Sequence, residues 1–112
     1  MPKATNYQMP KHDYEYDEAV LTQERTKIDE PPRYRVVLHN DDFTTMEFVI
    51  QVLETIFNLS IPEAIRVMLE VHTGGRGVAG TYTLEIAEMK VAKTIAFAQQ
   101  HEYPLLCTTE EE

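Results

Sequence analysis

The sequence predicts a small α+β domain: a three-stranded sheet and three helices, in the order β-α-α-β-α-β. Three observations carry this expectation. Val36-Val37-Leu38 is a short apolar run between polar flanks, as in a buried strand. Two Ser/Thr-x-x-Glu signatures, Thr44 to Glu47 and Ser60 to Glu63, each precede apolar residues spaced three and four apart, which is how amphipathic helices begin. Beyond Gly74-Gly75 come a strand-like stretch, a third helical pattern and a last short strand.

Residues 1–32 read as an extension to the domain. Tyr7, Tyr14 and Tyr16 are scattered among charged and polar residues, with neither a period of 2 nor one of 3.6. Such a stretch buries too little apolar area to offset the entropy of ordering it. Pro31-Pro32 places the boundary, and the core domain is expected over 33–112.

Residues 34–39 form the first predicted strand, ended by the turn Asn40-Asp41-Asp42. The first helix is predicted over about 45–58, with Thr44 as N-cap, a core stripe of Val49, Val52, Leu53 and Ile56, and Asn58 at its end. The second runs from about 61 to 72, with Ile61, Ala64, Ile65 and Met68 on its inner side. The next strand covers about 77–83, with Gly80 marking a bulge or a close backbone approach. Thr83 caps a helix over about 84–100 whose core positions include Ile86, Val91, Ile95 and Ala98. Residues 105–108 make the last strand, and Glu110 to Glu112 a solvated acidic end. Two helical connections are long enough to cross between parallel strands.

A formal charge of −9 argues against a phosphate backbone as partner, so nucleic-acid binding is not expected. The same sign favours encounters with cationic groups, including free amino termini. Cys107 is the only cysteine, which excludes an intrachain disulfide and a Cys-rich metal site. No stretch reaches the roughly 18 to 20 apolar residues of a membrane span, and no basic-then-apolar secretory signal is seen. The expected location is the cytoplasm. The four histidines lack metal-ligand spacing, and no metal or other cofactor is expected. Gly74-Gly75-Arg76-Gly77 lacks the Lys-Ser/Thr of a phosphate loop, and no Ser or Cys stands in a nucleophile's context. An enzyme is therefore not expected.

The chemistry that is present suits a cation carrying an apolar group. Asn40 and Asp41 offer acceptors, and neutral His72 offers one more. Met46, Val49, Met68, Val71 and Leu105 are candidate walls, with Met able to adapt to different side chains. Each of these residues also has an ordinary use as turn, core or cap, and composition and spacing leave both uses open.

A longer pattern bears on that choice. Tyr34-Arg35-Val36-Val37-Leu38-His39-Asn40-Asp41-Asp42-Phe43-Thr44-Thr45-Met46-Glu47-Phe48-Val49 is followed in order by three more blocks. These are Val67-Met68-Leu69-Glu70-Val71-His72, then Leu84-Glu85-Ile86-Ala87-Glu88-Met89-Lys90-Val91-Ala92, then Glu102-Tyr103-Pro104-Leu105-Leu106-Cys107-Thr108. Together they closely resemble the Clp protease adaptor family ClpS, over nearly all of residues 33–112. The resemblance implies the compact α/β domain shared with the C-terminal domain of the ribosomal stalk protein. It implies an adaptor that binds N-degron proteins beginning with Leu, Phe, Tyr or Trp. Such an adaptor passes them to the N-domain of a Clp AAA+ ATPase, of ClpA or ClpC type, for degradation by ClpP.

Residue by residue, the resemblance assigns the α-amino group and first peptide unit to Asn40, Asp41 and His72. It assigns the side-chain pocket to Asp42, Thr44, Met46, Val49, Met68, Val71 and Leu105, with Met46 as a gate against β-branched first residues. Glu85 and Lys90 match positions that dock the ATPase, and residues 1–32, outside the matching blocks, would be the extension it engages. Thr45 stands where the family usually has Pro, Phe43 where Tyr is common, and Ala79 where Cys is frequent. The alternative reading is a protein that docks on the Clp ATPase and modulates it without reading termini.

Overall fold

The computed structural model describes residues 30–112, and the expectations for residues 1–29 lie outside these. The elements are β1 (Arg33–His39), α1 (Met46–Thr55), α2 (Ile61–Gly74), β2 (Arg76–Thr83), α3 (Leu84–Gln100) and β3 (Leu106–Glu111), in the order expected from the sequence.

The sheet has the order β2-β1-β3, and β1 pairs antiparallel with both neighbours. A parallel crossover between neighbouring strands is therefore not what the helices provide. The α1–α2 pair carries the chain out and back, so β2 begins beside the end of β1, with Arg76 opposite His39. β2 and β3 do run parallel to each other through α3, but β1 lies between them. Val36 pairs with Gly80 and Val37 with Val78, leaving Ala79 as the extra residue of a bulge. A Cβ at Gly80 would collide with the Tyr82 ring, so the glycine there is a close-approach position.

Val36 and Leu38, on one face of β1, share the core with Phe48, Val49, Val52 and Leu53 of α1 and with Ala64, Val67 and Val71 of α2. Phe48 also stacks on Phe97 at 5.2 Å and packs on Tyr103 at 4.6 Å between ring centroids. α3 buries Ala87, Thr94 and Ala98. Ile86, expected in the core, is exposed, as are Ile61 and Ile65 of α2. On α3 the inward positions are held by small residues, Ala87, Thr94 and Ala98, which leaves Ile86 on the outer side. Cys107 is buried, and burial pushes its thiol up to about 11 against a hydrogen bond from Thr94. It is a core residue with little thiolate at neutral pH.

Local chemistry corrects several expected boundaries. Thr45, not Thr44, is the N-cap of α1, and its hydroxyl accepts the Phe48 N–H at 3.1 Å. The Thr44 hydroxyl is occupied elsewhere, as described below. α1 ends at Thr55, earlier than expected, because Asn58 turns left-handed (φ 58°). The Leu59 N–H then reaches back to the Leu53 carbonyl at 3.1 Å. Ser60 caps α2 as predicted, but α2 continues to Gly74, and Gly75 (φ 91°) is its left-handed C-cap. Glu110 and Glu111 belong to β3 and are not a free acidic end. Arg76 pairs with Glu110 at 2.8 Å and Arg35 at 3.7 Å, and the Arg76 hydrogen bond leads in holding Glu110 below the usual carboxylate range.

Candidate functional site

The turn after β1 is folded by one carboxylate. Asp41 Oδ1 accepts the backbone N–H groups of Phe43 (2.8 Å) and Thr44 (2.7 Å), and its Oδ2 accepts the Thr44 hydroxyl (2.7 Å). Burial works to raise the Asp41 pKa, but these three bonds outweigh it, and the group lies below its ordinary 3.8. The carboxylate is thus held ionised. Its Oδ1 is fully used, while Oδ2 has a lone-pair direction left for a further donor.

The turn is pinned to α2 from the other side. The Asn40 N–H donates to the Gly75 carbonyl at 2.9 Å, three residues beyond His72. Because Gly75 is the left-handed cap, its carbonyl is directed by the way α2 ends. This bond sets the β1–α1 turn beside the last turn of α2 and brings Asn40 and Asp41 near His72.

A pocket of about 410 Å³ opens there. Asn40, Asp41, Asp42, Thr44 and His72 supply its polar lining, and Met46, Val49, Met68 and Val71 its apolar lining. Met46, the first residue of α1, is 44% exposed, whereas Val49, Met68 and Val71 are buried. That gradient makes Met46 part of the rim and the other three the floor and walls. Leu105, expected as a wall, is not among the lining residues and packs in the core at 5% exposure. Thr45, noted from the sequence only as a departure from the family's Pro, and Glu47 also line the pocket, and neither was assigned to it as a contact. Their place follows from the N-terminus of α1 opening onto the pocket, a fact with no local sequence signal.

Glu85 and Lys90 lie away from this pocket, on α3. Glu85 is exposed in the first turn. The Lys90 ammonium turns inward, donates to the Ile56 carbonyl at 2.6 Å, and sits 5.9 Å from the Phe57 ring and 5.7 Å from the Tyr82 ring. Five residues apart, the two start roughly 140° from each other around a helix. Lys90 thus satisfies the carbonyl of Ile56, the C-cap of α1. We expect Lys90→Met, which keeps the aliphatic stem, to cost about 1–3 kcal/mol of stability. Urea unfolding at constant slope is the measurement, and an unshifted midpoint would show that the ammonium contributes nothing there.

Among the described residues no three His, Cys, Asp or Glu side chains come together as metal ligands would, and no helix is long and apolar enough to cross a membrane. What the pocket offers is an ionised acceptor and an amide at the mouth of an apolar cavity. That combination defines a binding module for a ligand with a cationic end and an apolar body.

The comparisons with known proteins agree on one family. The family model described as ATP-dependent Clp protease adaptor protein ClpS matches residues 29–108. The ATP-dependent Clp protease adapter protein ClpS of Vibrio atlanticus (strain LGP32) is 52% identical over 92 residues, covering 82% of this chain and 87% of the relative. The protein of the same name from Xanthomonas oryzae pv. oryzae (strain MAFF 311018) is 46% identical over 105 residues, 92% and 99% of the two chains. A solved structure, Agrobacterium tumefaciens ClpS2 bound to L-phenylalaninamide, superposes with a TM-score of 0.72 at 37% identity. It covers 74% of this chain and 100% of that one. This chain belongs to the ClpS family of ATP-dependent Clp protease adaptors.

Proposed function

We propose that this adaptor reads the first residue of its substrates, accepting Leu, Phe, Tyr or Trp, and delivers those proteins to the Clp AAA+ ATPase for degradation by ClpP. The observation that carries the reading is the pocket itself, where the ionised Asp41 and Asn40 stand at the mouth of a cavity walled by Val49, Met68 and Val71. The bound L-phenylalaninamide of the Agrobacterium relative has this chemistry, a free amino group beside a large apolar side chain, and supports the reading.

In this scheme Asn40, Asp41 and His72 hold the α-amino group and first peptide unit, while Asp42, Thr44, Met46, Val49, Met68 and Val71 surround the side chain. A free α-amino group has a pKa of about 7.7–8.0 and is largely an ammonium at neutral pH. An internal peptide offers no such charge and would cover these acceptors without pairing them. Burying a Leu or Phe side chain contributes roughly 1.5–3 kcal/mol, which a small first residue does not match. The ATPase N-domain docks on α3 near Glu85 and Lys90. In this reading residues 1–32 are the N-terminal extension and 33–112 the core domain, and the protein works in the cytoplasm without catalysing a reaction itself.

The test is a fluorescence-anisotropy titration with a Phe-starting peptide and its N-acetylated twin. Tight binding of the first and none of the second is expected. Equal binding of both, or of neither, would leave a protein that docks on the ATPase without reading termini. Met46 at the rim also makes a prediction. Truncation to Met46→Ala should admit Ile- and Val-starting peptides to within about tenfold of Leu, because bulk at Cβ then meets open space. Continued exclusion of those peptides would mean that Met46 is not the gate.

A further inference from the structure

We propose that the exposed apolar strip of α2, formed by Ile61, Ile65 and Leu69, seats the substrate chain just downstream of its first residue and favours apolar side chains there. The proposal rests on the amino-terminal reading given above and extends the same site. The core contribution of α2 is already complete in Ala64, Val67, Met68 and Val71. Ile61, Ile65 and Leu69 are nonetheless 60%, 39% and 47% exposed. They recur every four residues, so they form one ridge with steps of about 6 Å.

The ridge is continuous with the pocket. Ile65 precedes Met68 by three residues and Leu69 precedes His72 by three, a spacing that makes side chains neighbours on a helix surface. Met68 and His72 both line the pocket. The nearby charges of α2 are engaged with one another, since Arg66 bonds Glu63 at 2.8 Å and Glu70 at 2.7 Å. No ion pair therefore needs to break for an apolar chain to lie along the ridge.

The spacing points to an extended peptide as occupant. An extended chain rises about 3.3 Å per residue and alternates its side chains, so side chains on one face recur about every 6.6 Å. This nearly matches the ridge. With the first side chain in the pocket, the third falls against Leu69 and the fifth against Ile65, with Ile61 one step further on. The second and fourth point away.

The experiment compares three ligands on the full-length protein: L-phenylalaninamide, Phe-Ser-Ser-Ser-Ser and Phe-Ser-Leu-Ser-Leu. Leu at positions three and five should tighten binding about threefold to tenfold over Ser. That gain should vanish in the double variant Ile65→Ser, Leu69→Ser, while competition by L-phenylalaninamide stays unchanged. Equal affinity of the two peptides for the unmodified protein overturns the proposal, as does a gain that persists in the double variant. So does a gain lost only in Phe43→Ser, because Phe43 is exposed on the turn between β1 and α1 and the chain would then leave across that turn. Failure of L-phenylalaninamide to compete at all overturns the amino-terminal reading itself, and the strip with it.

Discussion

Asp41→Ala should lower the affinity for a Phe-starting peptide at least about a hundredfold, because two losses fall on the same residue. The first is the charge-assisted hydrogen bond that Oδ2 would accept from the ligand's ammonium, a class of bond worth about 1.5–3 kcal/mol. The second is the turn itself, since three hydrogen bonds to Phe43 and Thr44 disappear and Asn40 and Thr44 lose their fixed positions. Asp41→Asn separates the two. Its amide oxygen still accepts the two N–H groups at the Oδ1 position, so the turn persists while the charge is gone. Asparagine should therefore bind better than alanine but well below the original protein. If asparagine binds as tightly as aspartate, the carboxylate does not meet the ammonium.

The same residue sets a dependence on pH. The Asp41 pKa in the fold lies below its ordinary 3.8, so its contribution is fully present above the unfolded value and is lost as pH falls through the folded one. The ratio of affinities between the original protein and Asp41→Ala should be constant above about pH 5 and shrink below about pH 4. A ratio that collapses nearer neutrality would assign the titration to another group.

Phe48→Ala should cost about 3–5 kcal/mol of unfolding free energy, a large share of the stability of so small a domain. Phe48 is buried and joins α1 to the end of α3 through Phe97, His101 and Tyr103, at centroid distances of 5.2, 5.3 and 4.6 Å. The cavity left by its ring cannot close without moving helices that the sheet holds in place. A chemical melt that shifts by less than about 1 kcal/mol would mean that this cluster relaxes into the space. Because Phe48 lies between Met46 and Val49 of the pocket, its loss should also loosen the pocket lining in the folded fraction.

The sequence by itself determined the elements and their order, since each rests on contacts within a few residues. Ser60 is a readable cap because its hydroxyl accepts an N–H three residues on, and Gly75 a readable stop because only glycine adopts that backbone angle cheaply. The residue types around the pocket were legible for the same reason, as were the turn of Asn40 to Asp42 and the M-L-E-V-H block. The tertiary structure decided what depends on distant partners. The sheet is antiparallel because α1 and α2 return the chain to where it left β1. Thr45 caps α1 because Asp41 has already taken the hydroxyl of Thr44. Glu110 is in a strand because its backbone pairs with β1 opposite Arg35, and Arg35 and Arg76 then hold its carboxylate. Leu105 faces the core and not the pocket, a choice between two apolar surroundings that hydropathy does not distinguish. The pocket itself is of this second kind. One backbone hydrogen bond, from Asn40 to Gly75, brings the acidic turn beside His72. A backbone N–H has no side chain to announce its partner, so composition and spacing do not place the two halves of the site together, and in the sequence only the family resemblance joined them.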